Sequence, residues 1–154
     1  MFHSRKLQNR INSIHERALR IIYKGDDSSF IELLKKDQSY TIHERNIQTL
    51  AIELYKVING LSPKIMNLVF PLNLDAKYPG QNVFMTHNVK KVNAGTESLS
   101  HLGPKIWSLI PATIKISKSL QIFKKEIRKW KPDKCPCRLC KIYIKDLGFI
   151  ESKQ

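Results

Sequence analysis

The chain has 154 residues, about the length of one domain, and 42% of them are hydrophobic, which argues against wholesale disorder. Its 27 Lys and Arg against 13 Asp and Glu give a net charge of +14. A chain of this size with that charge repels itself unless it meets a polyanion, so a near-neutral metabolic domain is set aside in favour of nucleic acid, an anionic membrane face or an acidic partner.

No run approaches 18 consecutive apolar residues, so no membrane-spanning helix is expected. The first ten residues are basic but carry no apolar stretch, unlike a secretory signal. The three cysteines all fall between Cys135 and Cys140. An odd, clustered set makes a poor disulfide framework and suits a reducing, intracellular compartment, nucleus or cytoplasm alike. The charge is uneven. Residues 1–24 carry six basic and one acidic side chains, residues 25–76 five and seven, residues 77–111 four and one, and residues 112–154 twelve and four. A polyanion-facing surface is therefore expected to use the two ends of the chain, brought together on one face.

The first helix is expected over residues 4–23, with Leu7, Ile11, Ile14, Ala18 and Ile21 or Ile22 as one apolar stripe. Arg10, Arg17, Arg20 and Lys24 fall mostly off it, and Gly25-Asp26-Asp27 stops the helix. Ser29 and Glu32 have the spacing of a capping box and open a short helix carrying Phe30, Leu33 and Leu34. Thr41 and Glu44 repeat that signal ahead of Ile47, Leu50, Ala51, Leu54, Ile58 and Leu61, with Gly60 as the left-handed cap. Ser62-Pro63 starts a short helix with Ile65, Met66, Val69 and Phe70.

Over residues 71–103 the helical period disappears, and an irregular insertion is expected, with at most one β-hairpin using residues 83–85 and 89–92. Pro104 to Ile110 reads as one or two helical turns containing Trp107. The last helix is expected over residues 119–130, with Leu120, Phe123, Ile127 and Trp130 on its apolar side and Lys124, Lys125, Arg128 and Lys129 elsewhere. Residues 132–154 form a Cys-rich basic tail. The expected fold is thus mainly α: one helical domain over residues 1–154, with helices over 4–70 and 104–131 and the insertion between them.

Cys135, Cys137 and Cys140 put three thiols within six residues, which could converge on one Zn²⁺ if a histidine, water or partner group supplied the fourth ligand. The plainer reading is three reduced thiols in a turn. Tyr23-Lys24-Gly25-Asp26-Asp27 has a superficial likeness to the Y-x-D-D of polymerase palms, but one residue too many separates the tyrosine from the acid pair, and the position is a helix end. No Walker loop, G-x-G-x-x-G, G-x-S-x-G or H-E-x-x-H occurs, so no constellation supports an enzyme. His15-Glu16-Arg17 and His43-Glu44-Arg45 repeat a tripeptide and read as solvated helix faces. Candidate phosphate contacts are Lys124, Lys125, Arg128, Lys129, Lys131, Lys134, Arg138, Lys141 and Lys145 at one end and Arg10, Arg17 and Arg20 at the other. Trp130 reads as closing the apolar side of its helix. A small basic protein-interaction module is the alternative.

Several blocks carry a family likeness. Thr41-Ile42-His43-Glu44-Arg45-Asn46 with residues 50–61, then Glu97-Ser98-Leu99, Leu102-Gly103-Pro104-Lys105-Ile106-Trp107 and Ile110-Pro111, belong to it. So do Ser119-Leu120, Phe123-Lys124, Ile127, Trp130, the segment from Cys135 to Cys140, and Gly148-Phe149-Ile150. In this order they resemble the far C-terminal region of reverse transcriptases of jockey-like non-LTR retrotransposons, over residues 11–150. The resemblance implies a parent that joins an endonuclease to an RNA-directed DNA polymerase. It puts the fingers, palm and catalytic aspartates upstream of this chain, with those polymerase domains as partners, so no catalytic residue carries over. It also implies that the cysteine-rich end contacts RNA or DNA.

Overall fold

The computed structural model describes residues 5–73, 83–85 and 98–132. Among them are seven helices: α1 (Arg5–Ile22), α2 (Phe30–Lys36), α3 (Ile42–Ile58), α4 (Met66–Val69), α5 (Leu99–Leu109), α6 (Ala112–Lys115) and α7 (Leu120–Ile127). The protein is mainly α-helical. No helix among the described residues is long and apolar enough to cross a membrane. Where the sequence leads to one domain over residues 1–154, the chain divides into two compact units, Met1–Ile47 and Gln48–Gln154. Each has buried apolar residues of its own, and the division falls inside α3.

In the first unit, Leu19 of α1 packs with Leu33 and Leu34 of α2, flanked by Tyr23 and Phe30. A core this small leans on polar ties. The α2 capping box forms as the spacing requires: the Ser29 amide donates to Glu32 Oε2 at 2.8 Å, and the Glu32 amide to Ser29 Oγ at 3.4 Å. The Ser29 hydroxyl also donates to Glu32 Oε2, at 2.7 Å, and this bond, with that of the Ser29 amide, holds the carboxyl below the usual value. Thr41 and Glu44 make the same reciprocal pair, at 2.8 and 3.3 Å. The Ile42 amide donates to Asn12 Oδ1 of α1 at 3.3 Å. α2 ends with Gln38 at φ 54°, and the Ser39 amide reaches back to the Leu34 carbonyl at 2.9 Å. That is a Schellman closure built on a residue with a side chain.

α1 buries a different face from the one its stripe predicts. Leu7, Ile14, Ala18, Ile21 and Ile22 are exposed, whereas Gln8 and Leu19 are buried and Asn12, His15 and Tyr23 half-buried. The helix is turned by about one residue, roughly 100°. Its inner face is partly polar, since Asn12 caps α3 and the His15 ring meets Phe30 edge-on at 5.9 Å. His15 is therefore a packing residue rather than part of a solvated face.

In the second unit, α3 closes with a Schellman turn at Gly60 (φ +66°), the Leu61 amide bonding the Lys56 carbonyl at 2.8 Å. Aromatic rings form a continuous run through the core. Phe70 meets Phe84 at 6.3 Å, Phe84 meets Trp107 at 6.0 Å, Trp107 lies 6.1 Å from Phe123, and Phe123 stacks on Tyr55 at 4.2 Å. The Tyr55 hydroxyl donates to the Ser117 carbonyl at 2.7 Å, giving the buried ring a satisfied polar end. Gly103 lies against Phe70 so closely that a Cβ there would sit 2.6 Å from Phe70 Cε1.

The expected insertion is shorter than residues 71–103. α5 begins at Leu99, and Pro104 sits inside it, buried, rather than opening it. The ring stays within the first two turns and forfeits only one backbone bond, and it is buried together with Leu102, Gly103, Ile106 and Trp107 of the same helix. Leu72 and Phe84 form an antiparallel bridge, framed by Asn73 amide to Val83 carbonyl and Met85 amide to Pro71 carbonyl bonds of 2.8 Å. Residues 89–92 lie outside the described residues. α7 ends at Ile127, three residues earlier than its period suggests, and Trp130 follows in a turn, half-buried.

Candidate nucleic-acid interface

α7 is positioned from both ends. At its start the Ser119 side chain accepts from the Ile122 amide at 3.3 Å. Beneath it Phe123 and Ile127 are fully buried. At its end the Gln48 side-chain amide donates to the carbonyls of Arg128 and Trp130, both at 3.2 Å. That closes carbonyls which a helix end otherwise leaves to water.

On this frame Lys125, Arg128, Lys129 and Lys131 are exposed and Lys124 half-buried. Lys125 is one turn from both Arg128 and Lys129, so like charges face each other at i,i+3 and i,i+4, an arrangement that costs a few tenths of a kcal/mol per pair. The acidic neighbour Glu126 reaches Lys129 at 4.0 Å with both side chains well exposed, a weak pair. Basic charge at the C-terminal end of a helix is favoured by the macrodipole, which offsets part of the repulsion. An anion with several negative groups at similar spacing would offset the rest.

Sequence reasoning passed over Lys115 and Lys118. Lys118 is exposed immediately before the α7 cap. Lys115 lies over the Trp107 ring at 5.7 Å, and burial pushes its ammonium pKa down, so it belongs to the packing of α6 rather than to a phosphate surface. The high basic count after residue 112 was the available signal for Lys118.

In the first unit Arg10 and Arg17 are exposed. Arg20 is engaged: its guanidinium holds Glu16 at 2.7 Å one turn back. Tyr23-Lys24-Gly25-Asp26-Asp27 is a helix-terminating turn, with Gly25 at φ +84°. Asp26 accepts from Lys36 at 2.8 Å and from the Ser28 amide at 2.9 Å, and these bonds hold its carboxyl well below the usual range. The same contact raises Lys36, whose ammonium also lies over the Tyr23 ring at 4.9 Å. The carboxylate is thus a tie between the turn and α2.

Cys135, Cys137, Cys140, Lys134, Arg138, Lys141 and Lys145 lie outside the described residues. Among the described residues, no group of three or more His, Cys, Asp or Glu could hold a metal ion. No family model, curated protein or solved structure matches the chain.

Proposed function

We propose that this chain is a non-catalytic nucleic-acid-binding segment, of the kind its sequence blocks resemble at the C-terminal end of retrotransposon reverse transcriptases. The observation that carries the reading is the set of exposed like charges at the end of α7, Lys125, Arg128, Lys129 and Lys131, on a helix end fixed by Gln48. Their contacts would be to phosphates, which set affinity and register without reading sequence. RNA and DNA both satisfy that chemistry. Lys134, Arg138, Lys141 and Lys145 are further candidate phosphate contacts by sequence, and the thiols of Cys135, Cys137 and Cys140 would bind one Zn²⁺ with a further ligand from elsewhere. Catalysis is assigned to the upstream polymerase domains that the resemblance implies, with which the chain would act.

The test is binding of single-stranded RNA and duplex DNA across a salt series. A phosphate interface must lose affinity steeply between about 50 and about 200 mM salt. Absence of binding at the low end removes the proposal.

A further inference from the structure

The exposed side of α1 combines two features that a phosphate backbone does not cover together. Leu7, Ile11, Ile14, Ala18 and Ile21 follow one another at steps of four, three, four and three residues, the spacing of a coiled-coil seam about 21 Å long. Ile11 is half-buried at the edge of the inner face, but Leu7 is 42%, Ile14 63% and Ile21 78% exposed, and Ile22 beside them 66%. Along one flank run Lys6, Arg10 and Arg17, with Lys24 at the same seven-residue step in the turn, all exposed. The sole acid of the helix, Glu16, projects from another side and is held by Arg20. The other flank, with Gln8, His15 and Leu19, is turned inward.

We infer that this surface docks an acidic amphipathic helix of a partner protein. The seam lies against the partner's apolar stripe, and the flank of Lys6, Arg10 and Arg17 meets Glu or Asp at heptad spacing. Charge complementarity selects this occupant. In a second copy aligned antiparallel, Arg10 and Arg17 would face the same residues. Aligned parallel, they would face Gln8, His15 and Ile22, which offer no negative charge. A lipid surface suits a broad face rich in bulky aromatics, whereas this seam is narrow, made of aliphatic residues and small at Ala18. The first turn of α1 also has no acid, and Lys6 stands there against the positive end of the helix dipole. A negative partner residue relieves that contact.

The test uses the full chain and a synthetic acidic helix of about 21 residues, three heptads with Leu and Ile at the seam and Glu on the flanks. Its controls are a scrambled peptide of the same composition and a Lys-flanked version. Fluorescence anisotropy should show binding to the acidic helix over the scrambled peptide. The double variant Ile14→Asn, Ile21→Asn should weaken it at least tenfold with helicity and RNA binding unchanged, both positions being surface-exposed. Arg10→Glu with Arg17→Glu should reverse the preference to the Lys-flanked helix. The inference is overturned by equal binding of the scrambled peptide or by no peptide binding at all. It is equally overturned if the chain sediments as a dimer that the Ile14/Ile21 variant dissociates, or if phosphatidylserine vesicles bind through these residues while the acidic helix does not.

Discussion

The Gln48 side-chain amide lies 3.2 Å from the carbonyl of Arg128, across 80 residues of sequence. Gln48 is buried and Arg128 exposed, so the contact is partly buried. It ties α3 to the helix end from which the proposed phosphate contacts project. Gln48→Leu keeps the volume and removes the donor. It should lower the stability of the second unit by about 1–3 kcal/mol, two hydrogen bonds being lost at about 0.5–1.5 kcal/mol each. Urea unfolding followed by Trp fluorescence measures this, and RNA affinity should fall with it.

Gly103 brings its backbone directly against the Phe70 ring. Gly103→Ala would put a methyl 2.6 Å from the Phe70 ring edge and 3.2 Å from Leu54 Cδ2. Overpacking of this kind costs about 1–3 kcal/mol, and Phe84, which meets the Phe70 ring edge-on, limits its room to move. The melting temperature should drop, with near-ultraviolet circular dichroism changing as Phe84 and Trp107 shift.

Gln38 holds φ 54° at the end of α2, where glycine carries no steric cost. Gln38→Gly should stabilise the first unit by about 1 kcal/mol, offset in part by the greater freedom of the unfolded chain. Equilibrium unfolding with a probe on Tyr23 or Tyr40 reads the change.

Acid should weaken the first unit in two stages. Burial against Phe30, then the charge of Arg45, hold His15 below its ordinary 6.5, while Asp37 pulls the other way. The unfolded ring takes a proton at higher pH than the folded one, so stability is intact above 6.5 and is lost as pH falls through the folded value. Asp26 acts lower. Its depressed carboxyl contributes stability above its ordinary 3.8, which is lost as pH falls below that value. His15→Gln should flatten the first stage of a thermal-midpoint profile, and Asp26→Asn the second.

These residues also show what the sequence could and could not reveal. The capping boxes Ser29/Glu32 and Thr41/Glu44, and the closure at Gly60, were legible because each is a bond within one turn. The mainly helical fold followed from the same local periods. The inner face of α1 was not legible, because a 3.6 period identifies a stripe without saying which side meets the core. Asn12 and His15 turn inward because α3 and Phe30 offer them partners. Pro104 marked a helix start only on local rules, and its burial beside Gly103 overrode them. The Gln48–Arg128 bond and the aromatic run join residues far apart in the chain, where no short pattern records them. Of the candidate site, the basic residues were visible as charge, and their common frame was not.

The cysteines give a further expectation. Protein purified without chelator should carry about one Zn²⁺ per chain, and Cys137→Ser should remove it. Sub-stoichiometric zinc unchanged by that substitution assigns the thiols no metal.

The most direct test of the central claim is the salt dependence of RNA binding in the intact chain and in the variant Lys125→Ala, Arg128→Ala, Lys129→Ala, Lys131→Ala. The four side chains are exposed, so the variant should fold as the parent does. The parent should bind single-stranded RNA and lose affinity steeply with salt, and the variant's log–log slope should be shallower by roughly 3 units, about 0.7 per lost phosphate contact. Equal slopes for the two proteins, or no binding by the parent at about 50 mM salt, would contradict the account.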